Sequence, residues 1–87
     1  MTSFMLEVLA PDKTLYWGRA NSLQAKAIDG EVEILAKHAP YVAILAKGKV
    51  DLITEDDDKI SFDHDGGILE VARDKTSVLV KPVKDSA

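Results

Sequence analysis

Turn-forming residues interrupt this chain roughly every 8–12 residues, and the stretches between them alternate apolar with polar side chains. That spacing leaves no room for a long helix and predicts an all-β fold, a sandwich or barrel, with no helix longer than about three turns. Phe4, Leu6 and Val8 alternate with Met5, Glu7 and Leu9 before the turn Pro11-Asp12. A short strand, Leu15–Trp17, then meets Gly18, which reads as a bulge or bend. Leu23, Ala25 and Ala27 form the next alternating set, with alanines small enough for close packing against a facing sheet. Asp29-Gly30 predicts a tight hairpin of the type that needs positive φ at both central residues. Glu31–Leu35 is the return strand, ended by the loop from Ala36 to Pro40. Tyr41–Ala46 is a short apolar run, the pattern of a strand covered on both faces. Lys47-Gly48 reads as a further hairpin, Glu55-Asp56-Asp57-Asp58 as a polar turn, and Gly66-Gly67 as a break before the strand Ile68–Ala72. Ser77–Val80 closes the pattern and Pro82 stops it. Gly30, Pro40, Gly48, Gly66 and Gly67 are thus the expected structural turn positions.

Composition removes several classes of function. With 87 residues the chain makes one domain, 1–87, and its 46% hydrophobic content is enough for a core. It has no cysteine, so neither a disulfide framework nor a thiol-based metal site is available. A net charge of −4 argues against nucleic acid as a partner. No apolar run reaches the ~20 residues of a membrane-spanning helix, and the first residues lack the pattern of a secretory signal. Membrane association would have to pass through a partner.

Two segments carry the functional information: Gly30-Glu31-Val32-Glu33-Ile34-Leu35-Ala36-Lys37-His38-Ala39-Pro40, and Gly66-Gly67-Ile68-Leu69-Glu70-Val71. Their order and spacing resemble the N-terminal β-sandwich domain of the epsilon subunit of the rotary F-type ATP synthase. That family carries Gly-Glu-x-Gly-Ile-Leu-Pro-x-His-Ala-Pro, then a Gly turn, then Ser-Gly-Gly-x-Leu-Glu-Val. The likeness extends from Phe4 to Val80. It departs at Glu33, where the family usually has Gly, at Ala36, usually Pro, and at Lys37, often Gly. Trp17 stands where many members have a small polar residue.

The resemblance implies a flattened β-sandwich of two mainly antiparallel sheets, and a mechanical role without catalysis or cofactor. Such a subunit ties the gamma subunit to the c-ring in the central stalk, so that proton-driven rotation reaches the catalytic heads. It would lie peripherally on the cytoplasmic face of the energy-transducing membrane. By the same resemblance Glu31 and Asp29 face the c-ring loops, while His38, Tyr41, Val42 and Ala10 lie toward gamma, with Ile44 in the same apolar patch. Most members continue into a helical hairpin that can bind ATP. Only Lys81 to Ala87 follow the last strand here, too short and Pro-interrupted for two helices. This is either a naturally short form, which the natural-looking tail favours, or a truncated one; in both cases no ATP binding is expected.

From the residues alone the alternatives are blander. His38 reads as a loop histidine bonded to backbone, and with His64 as the other histidine a transition-metal site is not built. The acidic run 55–58 lacks the spacing, central Gly and distal Glu of a calcium loop, so it reads as a solvated turn. Lys47-Gly48-Lys49-Val50 lacks the parts of a phosphate loop. Asp63-His64-Asp65 has no nucleophile beside it and reads as a surface turn. A rival function of a different class is a free-standing sandwich that binds a small ligand or metal with its loops.

Overall fold

The alternation resolves into seven strands in the computed structural model, which describes residues 2–83. Met1 and the tail from Lys84 to Ala87, part of the sequence reading above, lie outside the described residues. The strands are β1 (Phe4–Ala10), β2 (Lys13–Ala27), β3 (Gly30–Ile34), β4 (Tyr41–Thr54), β5 (Lys59–His64), β6 (Gly67–Val71) and β7 (Thr76–Val80). No helix occurs among the described residues. The hydrogen-bonded order is β3-β2-β1-β7-β6-β4-β5, and β2 also pairs with β4, which closes five of the strands into a ring. Only β1 and β7 run parallel; the other pairs are antiparallel. Extents of 44 × 26 × 19 Å make the sandwich flat.

Two long strands build both sheets. The first half of β2 pairs with β1, and its second half pairs with β3 and β4. The first part of β4, Tyr41–Leu45, pairs with β6, and Gly48–Ile53 pairs with β5. The result is a four-stranded sheet, β3-β2-β4-β5, facing a five-stranded one, β2-β1-β7-β6-β4. The turn expected at Gly48 is therefore corrected, and the bend expected at Gly18 falls within a continuous strand. Gly18 and Gly48 lie inside β2 and β4, near the places where each strand passes from one sheet to the other. A Cβ on Gly48 would meet nothing closer than 3.9 Å, so no steric reason reserves that position for glycine. Register slips beside Asn21, where one extra residue of β2 bulges and bends the strand.

The β2–β3 hairpin stands, but its turn differs from the expected kind. Its loop residues are Ile28 and Asp29, and Asp29 has no positive φ; Gly30 alone does, at 137°. At the β5–β6 connection, Gly66 has φ 115°, and its carbonyl accepts the Lys81 N–H at 2.8 Å. A Cβ on the next residue, Gly67, would overlap the Leu79 carbonyl oxygen.

The core follows the inward parity of each strand: Leu6 and Val8, Leu23, Ala25 and Ala27, Ile34, Val50 and Leu52, Leu69, and Val78 are all buried, as are Ala20, Ala43, Leu45, Val71 and Val80. Burying each Leu, Ile or Val stabilises by about 1.5–3 kcal/mol relative to exposure. Ala20, Ala25 and Ala27 of β2 sit where that strand pairs with β4, so the small side chains keep the sheets close there.

Candidate partner-binding surfaces

The expectation that Tyr41–Ala46 is covered on both faces is not met. Ala43 and Leu45 point into the core, whereas Val42 and Ile44 are 66% and 57% exposed. They belong to a larger pattern. Leu9 of β1 stands opposite Leu79 of β7, Leu79 opposite Ile68 of β6, and Ile68 opposite Ile44 of β4. Four strands thus present one straight apolar row on the outer face of the five-stranded sheet. Leu9 is half-buried, and Ile44, Ile68 and Leu79 are exposed. Beside this row runs a second, Trp17–Glu7–Ser77–Glu70–Val42, in which Trp17 is exposed. Within it the Ser77 hydroxyl donates to Glu7 at 2.9 Å and the Lys75 ammonium lies 3.2 Å from the same carboxylate. The Ser77 and Lys75 hydrogen bonds hold Glu7 below the usual carboxylate range.

A groove of about 660 Å³ runs along the apolar row. Leu9, Ala10, Pro11, Ile44, Ile68 and Leu79 form its apolar wall, with Lys81 also lining it. Ala10 and Val42, which the resemblance assigns to gamma, therefore both border this face. His38 and Tyr41 lie at its end, where their rings meet edge-on with centroids 5.8 Å apart. Leu9, Ile68 and Leu79 were not singled out from the sequence. Their signal was apolar residues at outward as well as inward positions, as in Val78-Leu79-Val80.

The loop before β4 closes on a tight backbone turn. The His38 N–H donates to the Leu35 carbonyl at 3.3 Å, closing a turn with Ala36 and Lys37 at its centre. Lys37 has φ 65°. Positive φ at that third position is what a type II turn requires, with Pro preferred before it and Gly at it. Ala36 and Lys37 thus stand at turn positions that suit Pro and Gly, as the resemblance implies. Lys37 occupies its position at a penalty of about 1 kcal/mol relative to glycine. His38 Nδ1 donates to the Ala39 carbonyl at 2.8 Å.

The outer face of the four-stranded sheet has the opposite character. Ser61, Asp51, Gln24 and Glu33 form a row across β5, β4, β2 and β3. The Ser61 hydroxyl donates to Asp51, and the Gln24 amide to Glu33 at 3.4 Å. Glu31 lies on this face opposite Lys26, and Asp29 sits in the hairpin loop beside it; both acids are exposed. The Ile28 N–H donates to the Ile44 carbonyl at 2.9 Å, so the hairpin is pinned to β4.

His64 corrects a further expectation. It is not in a surface turn but ends β5 with 1% exposure. Ile60, Phe62 and His64 share one parity, and that parity faces inward. His64 Nδ1 accepts the Gly66 N–H at 2.9 Å, which leaves the proton on Nε2, where no partner is found among the described residues. Burial pushes its pKa down, against the pull of the neighbouring Asp65 and Asp63 carboxylates. The acidic turn 55–58 is tied to its own backbone: the Thr54 N–H donates to the Asp58 carbonyl and the Asp58 N–H to the Thr54 hydroxyl. No group of histidine and carboxylate side chains able to hold a metal occurs among the described residues.

Comparison with known proteins agrees with this architecture. Residues 3–85 match the family model for the ATP synthase delta/epsilon chain β-sandwich domain. The chain is 36% identical over 81 residues to the ATP synthase epsilon chain of Chlorobium limicola, covering 93% of this chain and 92% of that one. It is 32% identical to the ATP synthase epsilon chain of Brevibacillus brevis, covering 93% of this chain and 61% of that one. A chain of the Euglena gracilis mitochondrial ATP synthase, solved as an OSCP/F1/c-ring assembly, shares the fold with a TM-score of 0.84 at 20% identity. That match covers 92% of this chain and about half, 51%, of the other.

Proposed function

The chain belongs to the delta/epsilon family of ATP synthase subunits, and from that premise we propose that it is a non-catalytic rotor subunit that ties gamma to the c-ring in the central stalk. In that role it transmits torque between ion flow in the membrane and the catalytic heads, and sits peripherally on the membrane's cytoplasmic face. The observation that carries the reading is the unbroken apolar row Leu9–Leu79–Ile68–Ile44 on one outer face. A contiguous exposed apolar patch is costly for a solitary domain and normally belongs to an interface. Gamma covers this sheet, with Val42 and Ala10 on the face and His38 and Tyr41 at its end. The hydrogen-bonded polar face opposite needs no cover. Asp29 and Glu31, exposed at the β2–β3 hairpin, are then free to meet the c-ring loops.

The test is reconstitution. The full chain should bind the gamma subunit of its own enzyme, and replacing Ile44 and Ile68 together by Glu should abolish that binding while the domain still folds. Recovery of neither gamma nor c-ring by the wild-type chain would leave the family fold standing and remove the proposed role.

A further inference from the structure

At the far end of the apolar sheet lies a second cleft of about 290 Å³, between the 35–38 turn, the β6–β7 connection and the N-terminal residues. Its charged lining is Arg19, Lys37, Arg73 and Lys75 against one carboxylate, Asp74, with His38 beside them. In a chain of net charge −4 such a concentration of cations does not follow from composition. Two of the four have local work. Arg19 donates to the Ser3 hydroxyl and carbonyl, both at 2.8 Å, and approaches Glu55; Lys75 meets Glu7. Lys37 and Arg73 are in no ion pair among the described residues, and together they also line the adjoining hollow over Ala39 and Pro40. Lys37, moreover, holds its charge at φ 65°, a backbone conformation that favours glycine.

We infer that the partner covering the apolar sheet carries carboxylates opposite this cleft, and that Lys37 and Arg73 capture them and set the orientation in which the partner docks. The inference rests on the docking proposed above and specifies its chemistry. The cleft is continuous with that face, because Lys75 both lines it and pairs with Glu7, next to the apolar row. An apolar row is a poor guide to orientation, since dispersion and water exclusion are not directional. Unpaired charges at one end supply what the row lacks. They steer encounter, disfavour the reversed arrangement and fix register. A small anion alone would not need the neighbouring apolar surface, whereas an acidic edge on a partner uses both.

Association of the full chain with its gamma subunit, measured against salt, tests this. At about 20 mM KCl the Lys37→Glu/Arg73→Glu double variant should associate at least tenfold more slowly than wild type, and the difference should close as salt screens it, on the order of 0.5 M. Both substitutions are at the surface, so melting should change little; should the double variant fail to fold, Lys37→Gln/Arg73→Gln should show the same trend with about a threefold effect. Lys37→Gly separates charge from backbone: it should slow association while raising the melting temperature. A rise with no change in association would assign Lys37 to the turn alone and overturn its part in docking. Equal rates for wild type and both double variants at low salt, with gamma still bound, would overturn the inference and leave the docking face intact. Failure of wild type to bind gamma at all would remove both.

Discussion

Across the four-stranded sheet the outward row is Ser61, Asp51, Gln24 and Glu33; across the five-stranded sheet it is Leu9, Leu79, Ile68 and Ile44. Both sheets bury their inner faces in one shared core, and β2 and β4 run through both. Folding needs only the inner faces, so what the outer positions carry is free to follow use. The polar row satisfies itself through side-chain hydrogen bonds and leaves its remaining charges to water. The apolar row has no such closure. Its exposure weakens no strand pairing, but it leaves a patch that association would bury. One face is thus a finished surface and the other half of an interface.

The largest effect should come from breaking the apolar sheet itself. In Gly67→Ala the new methyl would overlap the Leu79 carbonyl oxygen and approach the Val80 Cα at 2.9 Å, so β6 and β7 must part. A loss of about 3 kcal/mol or more is expected, because backbone rather than a flexible side chain has to move. Gly48→Ala, near the crossing of β4 from one sheet to the other, should change stability by no more than about 0.5 kcal/mol. Chemical denaturation of both variants checks this; equal losses would mean that Gly67 is no more constrained than Gly48.

Next in size is the loss of partner binding. Ile68→Glu on the apolar row should weaken gamma binding by about 2 kcal/mol or more, the scale of a central interface residue, and leave the melting temperature nearly unchanged. Asp51→Asn on the polar row should leave gamma binding within about 0.5 kcal/mol of wild type. Comparable losses for the two would erase the distinction between the faces.

A smaller effect separates the core from both faces. His64 is held neutral by burial, so its pKa in the folded chain lies below the ordinary 6.5. Above that value neither folded nor unfolded chain carries the proton and stability is full. As pH falls below it, the unfolded chain protonates first and stability drops, with a slope of at most about 1.4 kcal/mol per pH unit, until the folded pKa is reached. Glu7, lowered from 4.5 by Ser77 and Lys75, acts in the same direction but in a lower window, below 4.5. Denaturation curves between pH 7 and pH 5, a window chosen to flank the ordinary value, should show the slope in wild type and not in His64→Leu. The same slope in both would place its source elsewhere.

Legibility in the sequence followed the range of each interaction. Pro11-Asp12, the β2–β3 hairpin, the acidic turn and Gly66 depend on neighbours along the chain, and all punctuate strands as read; Gly67, expected with Gly66 as the break, instead opens β6. Gly48 misled because a strand that bends from one sheet to another looks locally like two strands and a turn, and for the same reason Gly18, a bend within β2, read as the end of a short strand. Only the pairing partners, β1 then β3 and β4 for β2, and β6 then β5 for β4, tell the two apart. His64 was hidden by its residue type, although the parity of Ile60 and Phe62 already pointed it inward. The apolar row needed register between strands far apart in sequence, which no single segment contains. The resemblance led to Ala10, Val42, His38 and Tyr41 at the borders of that face, and the strand pairing supplies the row between them.

The smallest effect on the fold belongs to Glu31, on the polar side of the comparison. It is exposed, and its cross-strand neighbour is Lys26. Glu31→Lys places like charges opposite each other, which should destabilise by about 0.5 kcal/mol at most. The isolated domain should therefore melt almost as before. If the β2–β3 hairpin meets the c-ring loops through its carboxylates, the same substitution reverses the charge at that contact. Binding to the c-ring should weaken at low salt, and the deficit should shrink as screening shortens to about 3 Å near 1 M salt. Gamma binding, on the opposite face, should not change. Reconstituted complexes carrying the variant should then hold gamma normally but pump less per ATP hydrolysed. Unaltered c-ring binding at low salt would show that the polar face, hairpin included, is simply solvated, and would leave the apolar sheet as the one partner-binding face of this sandwich.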